Sequence, residues 1–282
     1  MMRSPKRLAA AVALGVAATS ARAQDPAAHE LATPGAPAAV ERDSMPKVPF
    51  GPGEQLSYHV TLGGLGVGHA SMEITGWDTA QGHRVYHSFF RVKGGIPFFH
   101  VDDQLESWFN PHTMIAYRFI QRIHEGNYKP TRIYEFFPDS AKYQRKGDSV
   151  RASVPDPLDD GSFFYFVRTV PLKVGETYEY TRYFQPEKNP VVVKVLRKDT
   201  IQVKAGKFAT VVIQPVIKSG GIFADGGEAL MWLTDDDRHL LVQMTVKTKI
   251  PILRSLNLYL ETIKPPGADS TAKPDTASRD SQ

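Results

Sequence analysis

Between residues 55 and 260 the chain repeatedly alternates apolar and polar positions. In Gln55–Leu62, Leu56, Tyr58, Val60 and Leu62 interleave with Gln55, Ser57, His59 and Thr61. A period of two predicts a half-buried β-strand. Gly63-Gly64 follows as a two-residue hairpin signal. On the return strand the apolar parity changes, from Leu65 and Val67 to Ala70, Met72 and Ile74. A β-bulge near Gly66–Gly68 would restore the facing. Similar segments are Ile115–Ile123, Arg132–Phe137, Thr177–Phe184, Val191–Leu196, Phe208–Val216, Ala229–Leu233, Leu240–Lys247 and Leu256–Leu260. The short links Asp199-Thr200, Ala205-Gly206 and Asp235-Asp236-Asp237 predict antiparallel neighbours. Asp102-Asp103 reads as the end of a loop before a strand Leu105–Phe109.

One segment departs from this period. Phe163, Phe166, Val167 and Val170 fall at i, i+3, i+4 and i+7, behind a capping residue at Asp159 or Asp160 and ahead of Pro171. That spacing predicts a helix; a buried strand over Phe163–Val167 is the alternative. The expected fold is mainly β: a large curved antiparallel sheet, open barrel or sandwich of about a dozen strands, with one short helix near 160–170. An outer-membrane barrel would need a lipid-facing apolar band on every strand, and the second faces here carry mixed polar residues.

The ends differ from the body. Arg3, Lys6 and Arg7 precede an unbroken apolar run, Leu8–Ala18, and then Ala21-Arg22-Ala23. This is the pattern of a cleavable signal peptide over 1–23, and its eleven apolar residues are too few to span a bilayer. A flexible Ala/Pro linker is expected over 24–46, a single β-rich domain over 47–264 and a disordered tail over 265–282. Removing 1–23 takes away four of the 34 basic residues and none of the 30 acids. The remainder is formally neutral, which argues against a nucleic-acid partner. No further stretch has membrane-spanning length. The expected location is the periplasm.

The chain has no cysteine. That sets aside disulfide scaffolds, iron–sulfur clusters, thiolate zinc sites, thiol nucleophiles and a lipoprotein anchor. No P-loop, G-x-S-x-G elbow, H-E-x-x-H or EF-hand loop occurs. Gly64-Leu65-Gly66-Val67-Gly68 resembles a phosphate loop, but His69 stands where a third glycine is needed. The spacing Ser44-x-x-Lys47 lies in the Pro-rich linker without partner motifs. His83 and His87 would be about 13 Å apart on one strand face, too far to share a metal. Asp102, Asp103 and Glu106, near His100 and Trp108, have the residue types of a glycosidase-like pair; turn solvation is the plainer reading. Asp235–Asp237 reads as a hairpin tip. No cofactor and no metal are expected.

Aromatic residues carry the remaining signal. Phe89-Phe90, Phe98-Phe99 and Trp108-Phe109 place large rings on both faces of neighbouring strands. Phe89, Phe99, Trp108 and Tyr117, roofed by helix residues Phe163 and Phe166, are therefore the candidate lining of a lipid-sized pocket.

The ordered motifs Phe50-Gly-Pro-Gly-Glu54-Gln-Leu56-Ser-Tyr58, Gly66-Val-Gly68-His-Ala70, Asp102-Asp-Gln-Leu-Glu-Ser107, the aromatic helix ending in Arg168, Val203-Lys-Ala-Gly206-Lys-Phe208 and Trp232-Leu-Thr-Asp-Asp236-Asp-Arg238 resemble the envelope family called domain of unknown function 3108. The resemblance covers nearly all of 50–261. Leu241-Val242 stands where that family usually has Pro-Val. It implies an exported β-rich protein of Gram-negative type and brings no reaction or catalytic residues. The leading expectation is a periplasmic protein binding an apolar or amphipathic envelope molecule, such as a lipid, in its curved sheet. The alternatives are a hydrolase of envelope glycan and a partner-binding assembly module. A Phe- and Leu-lined cavity would favour the first, converging carboxylates the second, and a filled core with an exposed apolar patch the third.

Overall fold

The computed structural model describes residues 47–217, 229–247 and 255–267. The expected signal peptide, the whole of the linker and most of the tail lie outside the described residues.

The first half of the chain is an antiparallel meander. Its strands are β1 (Gln55–Leu62), β2 (Leu65–Ala80), β3 (His83–Ile96), β4 (Phe99–Phe109), β5 (Ala116–Arg122), β6 (Thr131–Phe137), β7 (Lys142–Arg145) and β8 (Arg151–Ala152). After helix α1 (Asp160–Phe166), the second half is another meander: β9 (Thr177–Tyr180), β10 (Val191–Val203), β11 (Gly206–Val216), β12 (Ala229–Thr234), β13 (Leu241–Lys247) and β14 (Ser255–Lys264). Among the described residues these fourteen strands form one sheet in the order β8-β7-β6-β5-β4-β3-β2-β1-β14-β13-β12-β11-β10-β9. β14 pairs with β1 from Gln55↔Lys264 to Leu62↔Leu256. The first and last strands are thus central neighbours, and both sheet edges come from the middle of the chain.

Local sequence accounts for most boundaries. Gly63-Gly64 makes the predicted hairpin, with Leu62 opposite Leu65. The predicted bulge is present: Val60 faces Gly68 and Thr61 faces Gly66, leaving Val67 as the extra residue. A Cβ on Gly68 would overlap the Lys93 carbonyl, so glycine is what lets β2 and β3 approach there. Asp235–Asp237 lies at the turn between β12 and β13, and Lys204-Ala205 joins β10 to β11. Two expectations are corrected. Asp199-Thr200 is not a link but lies within β10, where Asp199 accepts the Trp232 indole N–H at 3.0 Å. Asp102-Asp103 is not the end of a loop but lies within β4. In both cases ladder and side-chain partners outweigh the turn preference of Asp.

The sheet is open, and other contacts bridge its edges. Leu158 pairs in parallel with Tyr183. Phe184 N–H donates to the Leu158 carbonyl at 3.1 Å, and Ser153 Oγ donates to the Phe184 carbonyl at 2.8 Å. The Phe184 ring meets Phe136 and Tyr143, each at 5.1 Å between centroids. Strand twist and bulges curl the sheet, and α1 lies on its concave face. Every residue from Gly161 to Phe166 is buried. The helix is therefore covered all round rather than along one stripe. Phe164 stacks on Phe90 at 4.9 Å. One contiguous core includes the helix and runs from Phe50 and Leu56 across to Val191 and Leu260.

Candidate functional site

Three of the motifs, Phe50–Tyr58, the helix ending in Arg168 and Trp232–Arg238, meet around one buried ion pair. Arg168, just past α1, is completely buried, and Glu54, just before β1, is nearly so. Arg168 Nη1 donates to Glu54 Oε1 at 2.6 Å and Nη2 to Oε2 at 3.0 Å, a bidentate charge-assisted contact. Arg168 also donates to the carbonyls of Arg238 and Pro49, each at 3.1 Å. Its guanidinium carbon lies 5.1 Å from the centre of the Phe50 ring. His239 Nδ1 lies 3.0 Å from the Arg168 carbonyl oxygen, and Asp236 accepts three hydrogen bonds from Arg238, one from its backbone N–H and two from its side chain. Burial pushes the Tyr58 and Tyr165 phenols upward, and Tyr165 Oη has no hydrogen-bond partner. With the pair sealed from water, the chemistry on offer is cohesion: it ties the lead-in to β1, the end of α1 and the β12–β13 turn.

The six aromatic candidates divide among two faces and one end. Phe163 and Phe166 are buried in the concave core, with Phe166 edge-on to Tyr180 at 4.9 Å. Trp108 and Tyr117 lie in a separate cluster with Ala80, Val85 and Ile120. Along β4 the neighbours of Trp108, Ser107 and Phe109, face α1 and the main core, so alternation turns Trp108 to the convex face. His87 stacks on Trp108 at 4.2 Å and His83 on Tyr117 at 4.4 Å. Trp108 Nε1 donates to Asp78 Oδ2 at 2.8 Å, the main cause holding the Asp78 carboxyl below its usual range. Phe89 is half-buried, and alternation puts it on the same face as His87. Phe99 is half-buried at the start of β4, its ring against Gly126. The sheet stands between the first pair and Trp108 and Tyr117.

The acidic candidates also diverge. Asp102 accepts from Arg91 Nε at 2.7 Å and Nη2 at 2.5 Å; the Arg91 hydrogen bonding lowers its pKa most. Glu106 lies between Arg122 and His87, 3.0 Å from His87 Nε2. Asp103 points the other way, buried, and accepts the His124 N–H at 2.9 Å. Burial raises its pKa, against a hydrogen bond with Glu125. Among the described residues no three His, Asp or Glu side chains converge as a metal would need. A second buried group sits at the start of α1. Asp159 accepts from the Gly161 and Ser162 amides at 2.7 and 2.9 Å and from Ser107 Oγ at 2.6 Å. Burial nevertheless pushes its pKa up to about 7.

The end of the molecule formed by the β1–β2, β3–β4 and β5–β6 connections is different in kind. It leaves Leu65, Phe98 and Tyr128 in water. Beside it, Pro130, Thr131, Arg132, Ile133, Arg145 and Lys146 line a groove of about 310 Å³.

A family model described as "Protein of unknown function (DUF3108)" matches residues 57–256, well over half of the chain. The chain belongs to the DUF3108 family. No curated protein matches it. Two solved structures are similar to this DUF3108 chain. One is a "putative lipoprotein" from Parabacteroides distasonis ATCC 8503, at 11% identity and a TM-score of 0.36, covering 78% of this chain and 100% of that one. The other is a "Beta-barrel-like Protein of Domain of Unknown Function DUF1849" from Brucella abortus, at 10% identity and a TM-score of 0.48, covering 77% and 98%. The DUF3108 match begins three residues after Glu54 and includes its partner Arg168. The ion pair itself was not foreseen from the sequence; the signal was the presence of both residues in the ordered motifs.

Proposed function

We propose that this protein is an exported component of the cell envelope that works by binding an apolar or amphipathic envelope molecule. The contact lies at the hairpin end around Phe98 and Phe99 rather than beneath the helix. One contrast carries this reading. The concave face is already occupied by Phe163, Phe164, Tyr165 and Phe166, none more than 4% exposed, whereas Phe98 at the hairpin end is 102% exposed. Phe163 and Phe166 would meet a ligand only after α1 moved. Export is supported by Arg3, Lys6, Arg7, the run Leu8–Ala18 and Ala21-Arg22-Ala23. No helix among the described residues is long and apolar enough to cross a membrane. A filled core with an exposed patch is also what a partner-binding module predicts; the two readings differ in what the patch meets.

Expression in a Gram-negative host should give an intact mass for Gln24–Gln282, while full-length chain in the cytoplasm would remove the export half. Hydrogen–deuterium exchange with a short-chain phospholipid should show protection at 94–100 and 124–129. Protection confined to 160–167 would move the site back beneath α1. Protein that copurifies with no lipid, and whose exchange no amphiphile alters, would end the binding reading.

A further inference from the structure

We propose that the hairpin end docks onto an anionic lipid bilayer, with Leu65, Phe98 and Tyr128 entering the interface and Lys93, Lys129 and Lys146 meeting the headgroups. This deepens the amphiphile-binding reading above and rests on it.

Three alternate connections, β1–β2, β3–β4 and β5–β6, form one edge. Gly68 pairs with Gly94 at the end of the β2–β3 ladder, so the β1–β2 and β3–β4 turns lie at the same end of neighbouring strands. Gly126 N–H donates to the His100 carbonyl at 2.8 Å, and the Phe99 ring lies against Gly126. The β5–β6 connection is thereby held against the β3–β4 tip. Each connection exposes one large apolar side chain: Leu65 by 74%, Phe98 by 102% and Tyr128 by 49%.

Phe98 is the decisive residue. Ile96 pairs with Phe99, leaving Pro97 and Phe98 as the two loop residues. Proline holds a negative φ, and Phe98 has φ +69°, which is the type II pattern. Its second loop position is where glycine is unstrained. Glycine fills the positive-φ turn positions Gly63, Gly64 and Gly82, and Gln81, Met114, Ala141 and His239 also take positive φ, but none of those four exposes a large apolar side chain. At Phe98 the chain places an aromatic residue in a conformation that disfavours one and leaves the whole ring in water. A ring this exposed buries no apolar surface within the fold, which points the proposal outward.

Charge selects the occupant. Lys93 and Lys129 are exposed at this end, with Lys146 close by. The carboxylates near them are engaged or buried: Asp102, directly across the ladder from Lys93, is held by Arg91, Asp148 is held by Arg145, and Asp103 and Glu125 are buried. Arg132 Nη2 donates to Tyr128 Oη at 2.9 Å, joining the tyrosine to the basic groove. Apolar tips bordered by ammonium groups, with a tyrosine between them, match the interface of an anionic bilayer. A second copy fits less well, since a two-fold contact would set these lysines against each other.

The test is cosedimentation of the chain 24–282 with phosphatidylethanolamine–phosphatidylglycerol vesicles and with phosphatidylcholine vesicles. The wild type should bind the anionic vesicles more tightly, and added salt should weaken that binding. Phe98→Gly, which relieves the backbone strain, should bind roughly tenfold more weakly with Tm unchanged or raised. The Lys93→Glu/Lys129→Glu variant should lose the preference for anionic vesicles. Wild type that stays in the supernatant with both vesicle types overturns the proposal, as does Phe98→Gly that sediments like wild type. Self-association abolished by Phe98→Gly, without vesicle binding, would make a second copy the occupant and overturn it too. Protection of 94–100 by short-chain lipid together with indifference to vesicles would reject the bilayer and leave the amphiphile reading standing.

Discussion

The Glu54–Arg168 pair shows how much one contact holds at the scale of residues. Both charges are out of water, so each is tolerable only because the other is present. Removing one partner strands the other: Glu54→Gln or Arg168→Met should cost about 3–5 kcal/mol in urea unfolding. Replacing both, as Glu54→Leu/Arg168→Met, should recover much of that loss. Recovery should be incomplete, because the Pro49 and Arg238 carbonyls lose a donor. Single and double variants whose losses simply add would show that the two charges are not coupled. The sequence contains both residues in recognisable motifs. It could not show that they meet, because they stand 114 positions apart and contact depends on how the sheet curls.

At the scale of elements, α1 combines a legible signal with an illegible one. The Asp159 cap and the Phe163–Val170 spacing predict a helix, and the capping box with Ser162 is present. Burial on every side was not legible, because the apolar spacing marked only one stripe. That burial gives Asp159 its upward shift to about 7 from 3.8. An acid with a raised folded-state pKa binds its proton more tightly when folded. Its contribution is fully present below about pH 4, lost as pH rises through the folded pKa, and constant above it. Asp160 is shifted the same way, also by burial, whereas Asp78 and Asp102 are shifted oppositely. The total pH profile is therefore mixed, and a difference isolates the residue. Wild type should lose stability relative to Asp159→Asn between about pH 4 and pH 7, with the gap level above that range. A gap that does not change with pH would mean that Asp159 titrates normally. Asparagine retains an oxygen for the Gly161 and Ser162 amides, so the cap survives the substitution.

At the scale of the whole molecule, β14 matters more than its terminal position suggests. It lies between β1 and β13 and brings Leu258 and Leu260 into the core. Ending the chain before Ser255 would open two central edges, remove those leucines and disconnect the two meanders. Such a chain should lack a cooperative thermal transition by circular dichroism. Ending it after Gly267 should leave the transition intact, since Gly267 N–H still donates to the Pro52 carbonyl at 2.9 Å. A cooperative fold without β14 would show that the halves are independent.

The sequence by itself determined the local repertoire: antiparallel strands, the Gly63-Gly64 hairpin, the bulge before Ala70 and the helix behind Asp159. These follow from interactions within a few residues, namely pleat alternation, turn chemistry and capping. Tertiary structure alone decided that β1 lies beside β14, because ladder hydrogen bonds carry no label naming their partner. It also decided which face became concave, since alternation defines two faces but not their environments. That choice buried Phe163 and Phe166 in the core, put Trp108 and Tyr117 on the opposite face, brought Arg168 to Glu54 and left Phe98 in water. Each outcome depends on segments far apart in sequence being drawn together by burial of a shared core.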